Sequence, residues 1–225
     1  MAQMPDIALT AVPGRRRWTL DLAKEIERRG FGGVYCPSFG DGLGLCEAIA
    51  LETTTLRMGT SIAIIYSRNP FDYAQTASLI HEVSDGRFTF GIGVSHGTVH
   101  ERLNLTVGKP LTDMRLFVQQ LRAGEPQTGP LPPVVLATLR DKMLDLASEI
   151  AEGAVWANAA RSRMQRSLER LTPEQRGGNG GGAPVVGGWG RDNAPKSNRG
   201  VGEPWGEGQL GFPNSRGSRG SIPRP

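Results

Sequence analysis

The sequence has few cysteines and no long apolar run, and these shortages exclude several classes of protein. Cys36 and Cys46 are the only two cysteines in 225 residues, and they do not form a C-x-x-C pair. We therefore expect no disulfide framework and a reducing compartment, the cytoplasm. The longest apolar run, residues 62–66, is far below the roughly 20 residues that span a bilayer. The N-terminus also lacks a signal-peptide pattern, so we expect no membrane contact.

The excess of positive charge is small and lies mostly toward the C-terminus. The 26 Lys and Arg residues exceed the 22 Asp and Glu residues by four. From residue 171 onward there are 7 basic and 4 acidic residues, so residues 1–170 have a net charge of only +1. Nucleic-acid binding requires clustered cations on a folded face, and the one tight basic run, Arg15–Arg17, is interpreted as a solvated loop. We expect no nucleic-acid partner, since the alternative of an RNA-binding tail lacks repeated Arg-Gly-Gly spacing.

The composition changes abruptly toward the C-terminus. Residues 177–225 contain 15 of the 31 glycines and 6 of the 16 prolines, with few apolar residues. Such a segment cannot bury enough apolar surface to offset its conformational entropy. The sequence therefore predicts a folded domain over residues 1–170 and a disordered tail rich in Gly, Pro and Arg over residues 171–225.

Within the predicted domain, short apolar segments alternate with amphipathic segments. The predicted strands are residues 7–12, 33–37, 57–66, 88–94, 133–137 and 154–157, and the predicted helices are residues 19–29, 43–54, 70–84, 112–123, 141–152 and 160–170. Strands that alternate with helices in this way are typical of parallel βα units. The pattern alone leaves open a barrel or an open doubly wound sheet. A closed barrel has eight strands, whereas six are predicted here.

Several motifs occur in an order that resembles a known family. RMGTSIAIIYSRNP at residues 57–70 is followed by SDGRF at residues 84–88, by Gly91-Ile92-Gly93, and by PVVLATLRDKMLDLA from residue 133. Together with residues 20–33, these motifs resemble the luciferase-like monooxygenase superfamily, most of all its actinobacterial members that use coenzyme F420. The resemblance extends over residues 6–160.

This resemblance implies both a fold and a chemistry. The fold is α/β, an incomplete TIM (β/α)8 barrel of six or so parallel strands, because the family's later helices and last two strands have no counterpart here. The tail resembles the product of a frameshift in a GC-rich gene, so we interpret the chain as C-terminally truncated or frameshifted. The implied activity is oxidoreduction of a small-molecule substrate, by hydride transfer with F420 or by monooxygenation with FMN and oxygen. A homodimer is left open.

The resemblance also implies which residues contact the cofactor. In the family, the third strand ends in a bulge that often contains a non-prolyl cis peptide, which here would be Ser61-Ile62. The backbone after the fourth strand passes close to the cofactor, and the segment after the fifth offers N–H groups and a cation to its phosphate. The implied cofactor-binding residues are Thr60, Ser61, Ile62, Gly93, Val94, Ser95, Thr138 and Arg140.

At the end of the second strand, this sequence departs from the family. The deazaflavin dehydrogenases have an Asp-His-like pair there, whereas this chain has Ser38 and Phe39. The Ser38 hydroxyl can hydrogen-bond a carbonyl group, but Phe39 has no acid–base group, and Asp41 is the nearest substitute. His96, directly after the fourth strand, is a second candidate for contact with substrate or cofactor. We predict Ser38 and His96 as catalytic residues, with an inactive remnant of the family as the alternative hypothesis.

The remaining motifs favour neither a metal site nor a dinucleotide site. His96 and His100 are spaced i, i+4, but no H-E-x-x-H pattern is present, so we expect no metal. Gly91-x-Gly93 is only part of a dinucleotide fingerprint, because no G-x-G-x-x-G opens a helix. Residues 40–44 are glycine-rich but lack the lysine of a phosphate-binding loop, and they are interpreted as a mobile turn.

Overall fold

The computed structural model describes residues 4–156, 161–176 and 186–187, which form one parallel sheet with helices. The strand segments are β1 Ile7–Ala8, β2 Gly33–Cys36, β3 Arg57–Thr60, β4 Ala63–Ile64, β5 Phe88–Gly93, β6 Val134–Ala137, β7 Gly153–Trp156 and β8 Val186–Gly187. They pair in the order β1-β2-β3-β5-β6-β7-β8, and β4 also pairs with β5. Each of these pairs is parallel. The six predicted strands are confirmed as a half-barrel, with the third strand divided into β3 and β4.

Helices connect successive strands, as the alternating pattern predicts. They are α1 Arg16–Arg28, α2 Gly42–Glu52, α3 Pro70–Val83, α4 Gly97–Arg102, α5 Pro110–Ala123, α6 Glu125–Thr128, α7 Asp141–Ile150 and α8 Arg161–Leu168. Helix α3 begins where predicted because Asn69 Oδ1 accepts a hydrogen bond from Phe71 N at 2.8 Å and Pro70 occupies the first turn.

Two segments interpreted as loops are helical instead. Arg16 and Arg17 lie in the first turn of α1, where Arg17 Nη1 donates to Glu52 Oε1 at 3.0 Å. The loop interpretation is wrong because cations are solvated equally well on the outer face of a helix. The interpretation of residues 40–44 as a mobile turn is also wrong. Gly42 begins α2, and the Asp41 carboxylate caps the helix by accepting a hydrogen bond from Gly44 N at 3.0 Å.

The two faces of β5 differ in the size of their side chains. On β5, Phe88, Phe90 and Ile92 are fully buried in the core that the helices cover, and the Phe90 ring lies 5.4 Å from the ring of Tyr73 on α3. The alternating residues of β5 face the other side of the sheet, and they are small: Thr89, Gly91 and Gly93. Along β5, the opposite face of the sheet therefore carries little side-chain bulk.

One carboxylate and one guanidinium fasten the N-terminal edge of the sheet. Glu27 Oε1 on α1 accepts hydrogen bonds from the backbone N–H groups of Thr54, Thr55 and Leu56, just before β3. Just before β5, the Arg87 guanidinium donates to five oxygen atoms. These acceptors are Ser84 O, Leu56 O, Ala50 O, Thr53 O and Thr53 Oγ1. These hydrogen bonds connect the turns that precede β3 and β5 at the N-terminal edge of the sheet.

Packing continues beyond residue 170. Leu171 is buried, and Gln175 Nε2 donates to Ala151 O at 2.8 Å and to Ser148 O at 3.2 Å. The pair β7–β8 aligns Val155 with Val186. The domain boundary at residue 170 stays a prediction, and the rest of the predicted tail lies outside the described residues. None of the helices in the described ranges is long and apolar enough to cross a membrane.

Candidate functional site

The residues implied as cofactor contacts lie together at the C-terminal edge of the sheet. Thr60 is the last residue of β3, Gly93 is the last residue of β5, and Thr138 directly follows β6. Parallel strands end on the same edge, and barrel active sites are built at that edge. The fold therefore brings together three segments that are separated by 30 or more residues in the sequence.

The chain after β3 crosses closely over β5. The Ser61–Ile62 peptide bond is cis, as the family resemblance implies. Ser61 N donates to Cys36 O at 2.9 Å, and the Thr60 hydroxyl donates to Gly91 O at 2.7 Å. These two hydrogen bonds attach the bulge to β2 on one side and to β5 on the other.

Gly93 has no room for a side chain between the bulge and β6. A Cβ atom at this position would lie 2.9 Å from Ala137 Cβ and 3.0 Å from the Ile62 side chain. Val135 and Val155, both buried, pack with Ile62 and Ala137 in a cluster apart from the main core. We call this surface the apolar floor: Ile62, Gly93, Val135, Ala137 and Val155. Gly93, Val135 and Val155 are buried beneath Ile62 and Ala137, which are partly exposed. The small apolar side chains at this position suit contact with a planar aromatic ring.

The segment after β6 offers polar groups beside the apolar floor. Thr138 is buried, and its N–H donates to Val155 O at 2.8 Å. Arg140 is exposed at the N-cap position of α7, next to the first N–H groups of the helix, which lack intrahelical partners. Asp141 in the first turn opposes anion binding, but Arg170 Nη2 pairs with it at 3.1 Å. The donor set at this position suits a phosphate group.

The turn after β5 contains a residue in the left-handed backbone conformation, and a histidine side chain hydrogen-bonds the carbonyl group before it. Ser95 has φ +60°, a conformation that non-glycine residues rarely adopt. His100 Nε2 lies 2.5 Å from Val94 O, the carbonyl directly before Ser95. His96 is exposed at the N-cap position of α4, and its Nδ1 lies 2.8 Å from Thr98 Oγ1. Thus the structure brings His100, rather than His96, into contact with the implied cofactor-binding segment.

Two further side chains brace His100. The Tyr66 ring meets the His100 ring edge-on, with centroids 5.9 Å apart, and the Tyr66 hydroxyl donates to Asp113 Oδ2 at 2.9 Å. Asp113 Oδ2 also accepts from Gly108 N at 3.0 Å. Burial raises the pKa of Tyr66, and the Asp113 carboxylate raises it further, so the hydroxyl stays protonated and donates. We call this series of contacts the loop clamp: Val94, His100, Tyr66, Asp113 and Gly108.

The end of β2 contributes less polar chemistry than the family pattern implies. Ser38 is half-buried, and the neighbouring Phe39 is 79 % exposed. The Asp41 carboxylate caps α2 and also accepts from Arg68 Nη2 at 3.3 Å. Asp41 therefore has a structural role, and its use as a substitute acid–base group stays a prediction. The catalytic roles of Ser38 and His96 also stay predictions.

The loop clamp could not be predicted from the sequence, because its residues are far apart along the chain. Tyr66 and Asp113 are 47 residues apart, so no local spacing connects them. The only available signal was the i, i+4 spacing of His96 and His100, which was weighed as a metal motif. Within the described ranges, no group of three or more His, Cys, Asp or Glu residues could hold a metal ion.

Comparisons with known proteins agree with this architecture. The sequence model of the family described as "Luciferase-like monooxygenase" matches residues 7–186. An uncharacterized protein of Mycobacterium tuberculosis is 27 % identical over an alignment of 173 residues, and the match covers 64 % of this chain and 51 % of that protein. The chain spans about half the length of the curated relatives it matches.

Solved structures with the same fold include a reductase and a monooxygenase. The coenzyme F420 dependent tetrahydromethanopterin reductase from Methanopyrus kandleri is 17 % identical, with a TM-score of 0.63 over 76 % of this chain and 60 % of that chain. The oxygenating constituent of 3,6-diketocamphane monooxygenase from Pseudomonas putida, solved in complex with FMN, is 12 % identical. Its TM-score is 0.59 over 80 % of this chain and 64 % of that chain.

Proposed function

The chain belongs to the luciferase-like monooxygenase family, and from this we propose that its C-terminal sheet edge binds FMN or F420 for the oxidoreduction of a small-molecule substrate. The observation that carries the proposal is the apolar floor beside the start of α7. Gly93 lies between Ile62 and Ala137 with no space for a side chain, and Arg140 lies at the neighbouring helix start. Small apolar side chains next to a cation at a helix start match the two halves of either cofactor.

Each group of residues has a separate role in this proposal. The cofactor ring lies against Ile62, Gly93 and Val94, while Arg140 binds the phosphate. Thr138 is buried with its N–H engaged by Val155 O, and it positions the segment that leads to Arg140. The cofactor supplies hydride or electron transfer when bound, and the protein supplies binding and orientation. Ser38 and His96 lie on the loops after β2 and β5, where a hydroxyl and an imidazole can hydrogen-bond a substrate carbonyl.

A second candidate function is cofactor binding without catalysis. Phe39 cannot transfer protons, and the Asp41 carboxylate is engaged with Gly44 N and Arg68. The observation that favours this candidate is therefore the lack of an uncommitted acid–base group at the end of β2. Turnover of reduced cofactor by the unchanged chain, with a substrate carbonyl present, would reject it.

The compartment and the oligomeric state are also proposals. Cys36 and Cys46 are free and buried, and burial raises the pKa of the Cys46 thiol, as expected of thiols kept reduced in the cytoplasm. Helix α3 exposes Phe71, Leu79 and Val83, apolar side chains that a second copy of the chain could cover in a homodimer. Light scattering gives the mass, and the monomer mass would reject the homodimer.

A titration with three ligands tests the proposed site. FMN and F420 carry a ring system and a phosphate, whereas riboflavin carries the same ring and ribityl chain as FMN without the phosphate. We expect the unchanged chain to bind FMN or F420, and Arg140→Gln to weaken that binding about tenfold while riboflavin binding stays the same. Fluorescence quenching of each ligand measures the dissociation constants.

Arg28→Gln is the matched control for this titration. Arg28 is exposed at the far end of α1, where it pairs with Glu25. This variant should bind all three ligands as the unchanged chain does. Absence of binding by the unchanged chain, or equal weakening of FMN and riboflavin by Arg140→Gln, contradicts the proposed phosphate site.

A further inference from the structure

His100 controls the direction of one peptide group at the proposed cofactor site. A carbonyl oxygen can only accept a hydrogen bond, so the 2.5 Å contact between His100 Nε2 and Val94 O requires a proton on Nε2. His100 is therefore the donor of this hydrogen bond. The Tyr66 ring, itself held by Asp113, keeps the imidazole in place.

The held carbonyl and the next N–H belong to the same rigid unit. The peptide plane that joins Val94 to Ser95 carries the Val94 oxygen on one side and the Ser95 N–H on the other. When His100 binds the oxygen, the N–H must point away from α4. Non-glycine residues rarely adopt the positive φ of Ser95, so neighbouring groups must stabilise this conformation. The hydrogen bond from His100 to the Val94 carbonyl is one such stabilising contact.

We propose that His100 is a positioning residue that, by holding the Val94 carbonyl, aims the Ser95 N–H at an acceptor atom of the bound cofactor. This inference rests on the proposed function, since it needs a cofactor at the sheet edge. The other members of the loop clamp fasten the end of the same loop, where Asp113 binds Gly108 N. The loop is thus fixed at its first residue and near its last.

The test compares two substitutions of His100 that differ in one hydrogen bond. His100→Ala removes the donor, whereas the amide nitrogen of His100→Gln reaches about as far as Nε2 and restores it. We expect His100→Ala to raise the dissociation constant for FMN or F420 about tenfold, the usual effect of one hydrogen bond. We expect His100→Gln to stay close to the unchanged chain, because a merely space-filling role would not be rescued in this way.

Hydrogen exchange gives a second reading that needs no cofactor. Without ligand, the amides of residues 94–108 should exchange faster in His100→Ala and at the original rate in His100→Gln. His81→Ala is the matched control: this histidine is half-buried near the end of α3, beside Gly86 in the turn that precedes β5. It should change neither the affinity nor the exchange of residues 94–108.

The outcomes separate this inference from the proposed function. If the unchanged chain binds neither FMN nor F420, the proposed function fails. Faster exchange in His100→Ala would then show only that the hydrogen bond from His100 stabilises the turn after β5. If the unchanged chain binds a cofactor and His100→Ala binds it equally well, the inference is overturned. Equal weakening by His100→Ala and His100→Gln also overturns it, because the hydrogen bond would then not matter.

Discussion

Gly91, in the middle of β5, occupies a position where a side chain has no room. A Cβ atom there would lie 1.9 Å from the carbonyl oxygen of Thr60. The obstacle is backbone, which cannot rotate aside, so β3 and β5 would have to separate. We expect Gly91→Ala to lower the free energy of unfolding by about 3 kcal/mol or more. Denaturant unfolding followed by circular dichroism measures this loss.

Gly97 provides the matched control for this substitution. It lies at the first position of α4, and a Cβ atom there would meet no atom within 4 Å. Alanine restricts the unfolded chain more than glycine does, so Gly97→Ala should be neutral or stabilising by up to about 1 kcal/mol. Equal unfolding midpoints for the Gly91 and Gly97 variants would show that β3 and β5 can move apart without cost.

Single residues also show what the sequence can and cannot predict about the site. Thr60, Ser61 and Gly93 were predicted because they lie within contiguous motifs that resemble a family. His100 and Asp113 were not, because their roles depend on contacts with Val94 and Tyr66 that only the folded chain creates. A sequence pattern can identify a strand end, but it does not show which distant side chain will hold the loop that follows.

Helix α1 and strand β3 are joined through the carboxylate of Glu27. Burial would raise the pKa of Glu27, but the N–H groups of Thr55, Thr54 and Leu56 and the Thr55 hydroxyl outweigh it, so the pKa lies below its usual value. A carboxyl group with a lowered folded-state pKa stabilises the fold above its unfolded-state pKa. That contribution is lost as the pH falls through the folded-state pKa.

Removal of the charge at Glu27 should therefore weaken the link in a pH-dependent way. We expect Glu27→Gln to lower the free energy of unfolding by about 1 kcal/mol at neutral pH, because charge-assisted hydrogen bonds become neutral ones. The difference from the unchanged chain should vanish in acid. Glu82→Gln, at an exposed carboxylate on α3, is the matched control and should be as stable as the unchanged chain at neutral pH. A constant difference across the pH range would show that the charge of Glu27 contributes nothing.

At the scale of elements, hydropathy predicted the existence of strands better than their register. Residues 57–66 were predicted as one strand because residues 62–65 form a continuous apolar run. In the structure, β3 pairs with β2 and β5, whereas β4, which begins directly after the Ser61–Ile62 bulge, pairs with β5. The start of α1 was missed for a related reason, since exposed cations are compatible with a loop and with a helix alike.

The whole chain has a packed part whose C-terminal limit can be measured by deletion. Composition predicts a boundary at residue 170, but Leu171 is buried and Gln175 donates to carbonyl groups at the end of α7 and just beyond it. The match to the family ends at residue 186, where β8 pairs with β7. A chain that ends at residue 187 should therefore unfold at the same temperature as the full chain, because residues 188–225 have no core-forming pattern.

Shorter chains should lose stability in two steps. A chain that ends at residue 176 lacks β8 and leaves the edge of β7 unpaired, so we expect it to aggregate more readily on heating. A chain that ends at residue 170 also loses the buried side chain of Leu171, worth about 2 kcal/mol, and the hydrogen bonds of Gln175. Its melting temperature should fall a further 5 °C or so relative to the chain that ends at residue 176. Equal melting temperatures for these two chains would instead support the boundary at residue 170, because Leu171 and Gln175 would then add nothing to the folded domain.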